Sequence, residues 1–417
     1  FFDENSQWQK HLSLLKQGIG KTAKPERLSP KTAKTLYGKN IFSSVSRLER
    51  FAGCPFSFFA EYGLKAEERR LYQLNTPDLG SLFHEVLELF SNKLEQDSLP
   101  WTSLTKEETT ARIHAAVEDA APRLGNRILL DSAANQYLIR RLKRISTRAA
   151  WTLVQHLQQG DFIPAGYEVG FGAHEALPPI VIRLQDGGSL ILNGKIDRVD
   201  LLDANGTRYV KIIDYKSGNK TFHFQDIYYG LQLQLLVYLD AYLKYYKKTG
   251  ASFKPGGVFY FRITDPTLAL DEELSAEAIE KILYEKMRMS GLLLQEDVLI
   301  HGLDHSLAES RSSAIVPVGY TKKGDPTAAS NLATEEQYAA ILDFVATRTQ
   351  EIGDAMKAGI ITPAPYRDGQ RTPCAYCSYR SLCRHSYGEA PRWRKLKKID
   401  KADFWETITP KQPPETE

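Results

Sequence analysis

The spacing of apolar residues changes period along this chain, and each change marks a different kind of element. In NTPDLGSLFHEVLELFSNKLEQ, Phe83, Leu87, Phe90 and Leu94 recur at intervals of three and four, which is a helical stripe with His84 beside it, not in it. Thr76 can cap this helix and Pro77 suits its first turn. Upstream, SVSRLERFAGCPFSFFAEYGL reads as a helix start with Ser44 or Ser46 as cap, then aromatic-rich helix. Residues 105–160 continue helical, with long polar faces.

The period then shortens to two. YEVGFGAH, IVIRL, SLILNGKIDRVDLL and RYVKIIDYKSG read as successive strands, and Asn205-Gly206 between the last two predicts a tight hairpin. Residues 225–246 predict one long helix, GGVFYFRI (256–263) a further strand, and 264–360 mostly helix with an irregular polar stretch near 301–332. This order predicts an α/β sandwich around a mixed sheet. Residues 1–40 hold a short amphipathic stretch, Trp8 to Leu15, and a basic, Pro-containing linker; the tail PKQPPETE reads as disordered. No internal repeat is evident.

Composition narrows the class. With 417 residues, 42% hydrophobic and 25% charged, the chain can bury a sizeable core and hold more than one domain. No apolar run has the length of a membrane span, and the start FFDENSQWQK is neither a signal peptide nor a Met start, so the chain is expected to be a segment of a longer polypeptide. A net charge of +3 says little about partners. Two local clusters say more: IRRLKRISTR (139–148) and RWRKLKKIDK (392–401) suit phosphate-facing surfaces and solvated helix faces equally. GIGKT (18–22) ends like a phosphate-binding loop, but Leu15 stands where that loop needs Gly and no strand precedes it, which excludes ATP binding here.

Of four cysteines, Cys374, Cys377 and Cys383 sit in PCAYCSYRSLCR, and Cys54 lies far upstream in FAGCPFSFF. Such clustering points to a metal site more than to disulfides. Tetrahedral zinc and an iron–sulfur cluster both remain open on spacing.

The segment KIIDYKSGNK puts Asp214 and Lys216 on the same strand face as Val210 and Ile212. Charges on an apolar face cost several kcal/mol unless paired or bound to a metal. Asp197 lies on the preceding hairpin strand, and two carboxylates from paired strands can hold a hard cation such as Mg2+. Lys216 could then act on a water or on phosphate charge, and His84 could add a ligand, with Gly80 permitting close backbone approach. Asp197 and its neighbour Arg198 also suit a surface ion pair. Gln234 and Tyr238, four apart, share a helix face near the hairpin end, although Tyr238 equally fits the apolar stripe Ile227, Leu231, Leu235 and Tyr242.

Taken in order, GSLFH, GKIDR, DYK and QLLVY resemble the RecB-like branch of the PD-(D/E)xK nuclease superfamily, with Asp replacing the commoner Glu before Lys. One cysteine before these motifs and three after them resemble the iron–sulfur staple of AddAB-type helicase–nucleases and of some CRISPR-associated nucleases. The resemblance covers roughly residues 41–390, and the large helical insertions favour the AddAB type. It implies a restriction-endonuclease-like core, a mixed sheet flanked by helices, carrying helical insertions and an iron–sulfur cluster. It implies Mg2+ held by His84, Asp197, Asp214 and the carbonyl of Tyr215, with Lys216 acting on the water and Gln234 and Tyr238 supporting the site or the DNA. Cys54, Cys374, Cys377 and Cys383 would hold a [4Fe-4S] cluster. The expected organisation is the end of a helicase-like domain and linker (1–40), the nuclease domain (41–390) and a basic extension (391–417). The expected function is resection of double-strand breaks, cutting the 5′-ended strand beside an AddA-like partner in the bacterial cytoplasm at the nucleoid, without membrane contact. The alternatives are a freestanding nuclease that trims DNA ends and an inactive domain that guides DNA.

Overall fold

The computed structural model describes residues 6–19, 27–67, 76–123, 133–268, 273–383, 385 and 393–409. They form two compact units: residues 1–70, 182–191 and 349–398 belong to one, and residues 71–181, 192–348 and 399–417 to the other. Among the described residues no helix is long and apolar enough to cross a membrane.

The second unit is built on a mixed sheet. Its strands run in the order Ile163–Phe171, Gly194–Ala204, Thr207–Lys216, Lys254–Arg262, Ser290–Leu294 and Leu332–Ala333. The first three are antiparallel neighbours, and Thr207–Lys216 then pairs in parallel with Lys254–Arg262. Asn205 and Gly206 close the hairpin with φ of 51° and 74°, the two left-handed positions that a two-residue turn of this hand requires. One face of the sheet carries Tyr167, Arg198, Lys211, Tyr215 and Phe261. There Trp101 stacks on Tyr167 and lies under Arg198, while His156 of the helix Ala133–Gln158 meets Phe261 edge-on. The stripe expected around His84 is real: Phe83, Leu87, Phe90 and Leu94 of the helix Thr76–Gln96 are all buried. The side chains of Thr76 and Pro77 lie outside the described residues.

Four elements depart from the sequence expectations. The helix Pro30–Tyr37, capped by Ser29, stands where a linker was expected. SLILNGKIDRVDLL is not one strand: it breaks at Asn193, a residue of weak strand preference, into Ser189–Leu192 and Gly194–Ala204, which join different sheets. The helix expected over 225–246 is two, Phe224–Tyr228 and Gln234–Lys248. Gln232 causes the interruption by folding back, its amide accepting from His223 N–H at 2.9 Å and donating to Thr221 C=O at 2.7 Å. Ser290–Leu294 is a strand inside a stretch expected to be mostly helical. Its residues from Gly291 to Leu294 are buried throughout, so it shows no alternation, and such a run cannot be told from helix by period.

The other unit contains the helices Pro30–Tyr37, Val45–Gly53 and Pro55–Phe58, the last running into a wider turn at Phe59–Gly63. Ser44 caps the second of these, accepting from Arg47 N–H. Val45 and Leu48 are fully buried, and Phe51 meets Phe58 edge-on at 5.5 Å. A small sheet has the order Asn40–Ser43, Ser189–Leu192, Ile180–Arg183. Leu184 and Leu190 close on Gly353 from residue 349 onward of the helix Glu335–Lys357, and Asp354 accepts from Gln185 N–H at 2.9 Å. The cysteine-bearing segment is tied in by Tyr379, whose hydroxyl donates to Ala66 C=O at 2.9 Å, and by Arg394, which donates to Ala52 C=O. GIGKT beyond residue 19, Arg392 and the tail from residue 410 lie outside the described residues.

Candidate metal site

Register assembles the site. Arg198 pairs with Ile213 across the hairpin, so one step outward Asp197 stands opposite Asp214 on the other face of the sheet. Tyr167 and Val169 pair with Arg198 and Ile196, which brings Glu168 level with Asp197. Three neighbouring strands thus present a row of carboxylates: Glu168, Asp197 and Asp214. The alternative of a surface ion pair between Asp197 and Arg198 does not hold, because adjacent strand residues point to opposite faces; Arg198 turns inward and binds Asp200.

His84 completes the row. Its Nδ1 is 3.4 Å from Asp197 Oδ1 and 3.8 Å from Glu168 Oε1. His84, Glu168 and Asp197 offer ligand atoms that all lie within 4.8 Å of one another. Burial works against protonation of His84, but its hydrogen bonds to Asp197 and Glu168 and the charge of Asp197 prevail and raise it to about 10. Asp197 is fixed from its other oxygen: Tyr215 N–H donates to Oδ2 at 2.5 Å. Gly80, one turn before His84, faces Ser217, and a Cβ there would lie 3.0 Å from the Ser217 hydroxyl. The close approach expected at Gly80 is therefore present.

Asp214 is buried, 1% exposed, and lies outside that cluster of three. Lys216 Nζ binds its Oδ2, and Gln234 Nε2 donates to its Oδ1 at 2.8 Å. Burial, then the charge of Asp197, pushes the Asp214 carboxyl up to about 7, while Lys216 pulls the other way. Gln234 is the first residue of its helix, a position fixed by the interruption at Gln232. Tyr238, one turn further on, is buried with its ring 4.8 Å from Phe171, and its hydroxyl lies 2.6 Å from where a Gly194 Cβ would be. That contact is packing. The Tyr215 ring lies 6.0 Å from His84 and 6.2 Å from Phe261, so the residue touches Asp197 through its backbone.

Sequence reasoning missed Glu168. It is a lone acidic residue in an apolar, glycine-flanked strand, and its φ of 46° is one that a non-glycine residue rarely adopts. Glu85, Glu88, Asn92 and Arg123 were missed too; with Gly80, His84, Glu168 and Ser217 they border an open cavity of about 700 Å³. The cavity opens His84 and Glu168 to solvent.

The cysteines lie in the first unit. Cys54, buried, joins the helices Val45–Gly53 and Pro55–Phe58, and burial, assisted by the nearby charges of Cys374 and Cys377, pushes its thiol up to about 11. Backbone N–H groups of Ser57 and Phe56 oppose this by donating to its sulfur. Cys374 likewise senses Cys377 and Cys383, so all four thiols are electrostatic neighbours, and all four are free.

The family model described as PD-(D/E)XK nuclease superfamily matches residues 43–384. The chain is 40% identical over 411 residues to an ATP-dependent helicase/deoxyribonuclease subunit of Alkaliphilus oremlandii, covering 98% of this chain and 36% of that protein. It is 42% identical over 385 residues to the protein of the same name from Alkaliphilus metalliredigens, covering 92% and 33%. For that of Anoxybacillus flavithermus the identity is 36% over 401 residues, covering 95% and 35%. The chain spans about a third of the length of these curated relatives.

Proposed function

The chain belongs to the PD-(D/E)XK nuclease superfamily, and from its carboxylate row we infer that it hydrolyses DNA phosphodiester bonds with a divalent cation, Mg2+ by preference. The observation that carries this reading is the convergence of His84, Glu168 and Asp197 within 4.8 Å, beside an Asp214 already engaged by Lys216 and Gln234. Carboxylates with one imidazole fit a hard cation that keeps several waters. His84, Glu168, Asp197 and Asp214 would hold it, with the Tyr215 carbonyl as a further donor. Bound there, the cation supplies Lewis acidity toward a phosphoryl oxygen and a water. Tyr215 N–H holds Asp197 in place, and Gln234 holds Asp214. Lys216, partly exposed at the strand end, orients the attacking water and offsets charge that develops on the phosphate.

The four cysteines would hold a [4Fe-4S] cluster that staples the start of this unit to its C-terminal segment. Their free, mutually close thiols support a metal centre.

The names of the relatives support a place as one subunit of a helicase–nuclease complex. We further propose that this complex resects double-strand breaks, with an AddA-like partner, in the bacterial cytoplasm at the nucleoid. In that complex this domain would cut the 5′-ended strand. The test is digestion of duplex DNA labelled at either end, by the assembled complex with and without Asp214→Asn, in Mg2+ and ATP. Loss of cutting on the 5′-ended strand alone is expected. Unchanged cutting of both strands would make the domain a DNA guide instead.

A further inference from the structure

The basic helix Ala133–Gln158 has a feature that the metal site does not use. Arg140, Arg144, Arg148, Trp151 and Gln155 recur at intervals of three and four, so they share one face. This face lines a cavity of about 420 Å³, bordered also by Lys106, Lys143 and Tyr284. Arg144 meets Asp265 at 2.6 Å, Arg148 reaches Asp265 at 3.5 Å and Glu280 at 3.9 Å, and Lys143 meets Glu118 at 2.5 Å. Arg140 makes no ion pair among the described residues. Five cations against three carboxylates leave the cavity positive. Its pairs are partly exposed and therefore weak, so a phosphate can displace the carboxylates. Trp151 and Tyr284, half-buried, give the same wall two aromatic rings.

The helix packs on the face opposite the carboxylate row, so a strand in this groove would reach the site around the ends of the sheet strands. Lys216 pairs with Arg262 at the end of the parallel strands, and three residues later Asp265 holds Arg144 and Arg148. Three residues span at most about 11 Å. From Arg148 to Arg140 the helix adds about 12 Å. Cations therefore follow one another from the hairpin end along the helix face.

We propose that this groove carries the backbone of a single DNA strand to or from the metal site, with Arg140, Arg144 and Arg148 on phosphates and Trp151 or Tyr284 beneath unpaired bases. A single strand is specified because stacking on aromatic rings needs bases free of a duplex. The proposal rests on the nuclease reading for the strand's purpose, but its chemistry is separate from the cation site.

The test is the Arg140→Ala/Arg144→Ala double variant of the full-length protein, assayed with Mg2+ on a dinucleotide and on an oligothymidine of about 20 nucleotides. The dinucleotide reaches the metal site without the groove, so its kcat/KM is expected to stay unchanged. The KM for the long strand is expected to rise about fivefold to tenfold, and its slope against log salt to become shallower by about 1.4, two phosphates at roughly 0.7 each. An unchanged KM and slope would overturn the proposal. Equal losses on both substrates would also overturn it, because they would mark damage to the fold. If the unaltered protein cleaves neither substrate, the nuclease reading fails and photo-crosslinking of a bromodeoxyuridine strand decides the groove: adducts on Trp151 or Tyr284 uphold it, and their absence sinks it.

Discussion

Replacing Asp200 by Asn should damage this protein far more than its conservative chemistry suggests. Asp200 is completely buried and binds two cations: Arg198 Nε and Nη2 at 2.6 and 2.9 Å, and Lys211 Nζ at 2.9 Å. The cations are themselves buried, Arg198 over the Trp101 ring at 4.8 Å and Lys211 over Phe162 at 4.5 Å. Burial raises the Asp200 pKa, but Arg198 and Lys211 outweigh it and hold the carboxyl below its ordinary range. Asn keeps the volume and removes the charge, leaving two buried cations uncompensated. Breaking such a network costs about 3–5 kcal/mol, which at roughly 2 °C per kcal/mol is a fall in Tm of about 6–10 °C. Circular dichroism melting measures it, and Asp203→Asn is the control. Asp203 is on the same strand and meets Arg208 at 2.7 Å, but both side chains are at least half exposed, so its loss should cost under about 1 kcal/mol. The sign in acid follows: with a depressed folded pKa, the stability Asp200 supplies is present above its unfolded value and is lost as pH falls through the folded one. The gap between native protein and Asp200→Asn should therefore narrow in acid. Equal, small losses for the two variants at pH 7 would refute the reasoning.

His156 is buried between Phe261 and Tyr284, and burial, then the charges of Lys211 and Arg198, push it down to about 3. Because only the unfolded chain takes up its proton below about 6.5, it should remove roughly 2 kcal/mol of stability between pH 7 and 5; urea titrations of His156→Phe should show a flatter pH profile, and an identical profile would count against the assignment. Gly194→Ala would put a Cβ 2.6 Å from the Tyr238 hydroxyl and 3.0 Å from Phe171, an overpacking worth about 1–3 kcal/mol; a Tm equal to the native value would show that the Tyr238 contact is loose. Glu168→Asn should keep or raise the Tm, since Asn tolerates left-handed backbone, yet weaken Mn2+ binding in calorimetry about tenfold or more. Unchanged affinity there would remove Glu168 from the cation site. Cys377→Ser should lose bound iron and the broad visible absorption of an iron–sulfur protein when prepared anaerobically, whereas a native protein that holds zinc and no iron would overturn the cluster.

How much of this was legible follows from which contacts are local. The pair Asp197 and Asp214 could be read because the two-residue turn at Asn205-Gly206 pins the register: counting outward from Ala204 opposite Thr207 brings them face to face. Glu168 could not be placed that way. No tight turn joins its strand to the Asp197 strand, the intervening chain supplies two strands to another sheet, and the register shifts between Pro164 and Gly166. The split of the Gln234 helix was equally hidden, since it depends on bonds from Gln232 to residues nine and eleven positions back. The same register also explains why the two faces carry such different charges. On these two strands the acids Asp197 and Asp214 face the candidate cation site, while Arg198 and Lys211 face inward around Asp200. A slip of one residue would turn the cations toward the site and drive the carboxylates into the apolar core. Both alternatives strand charge in a place that cannot neutralise it, so the buried Arg198–Asp200–Lys211 network and the carboxylate row enforce the same alignment from opposite sides of the sheet.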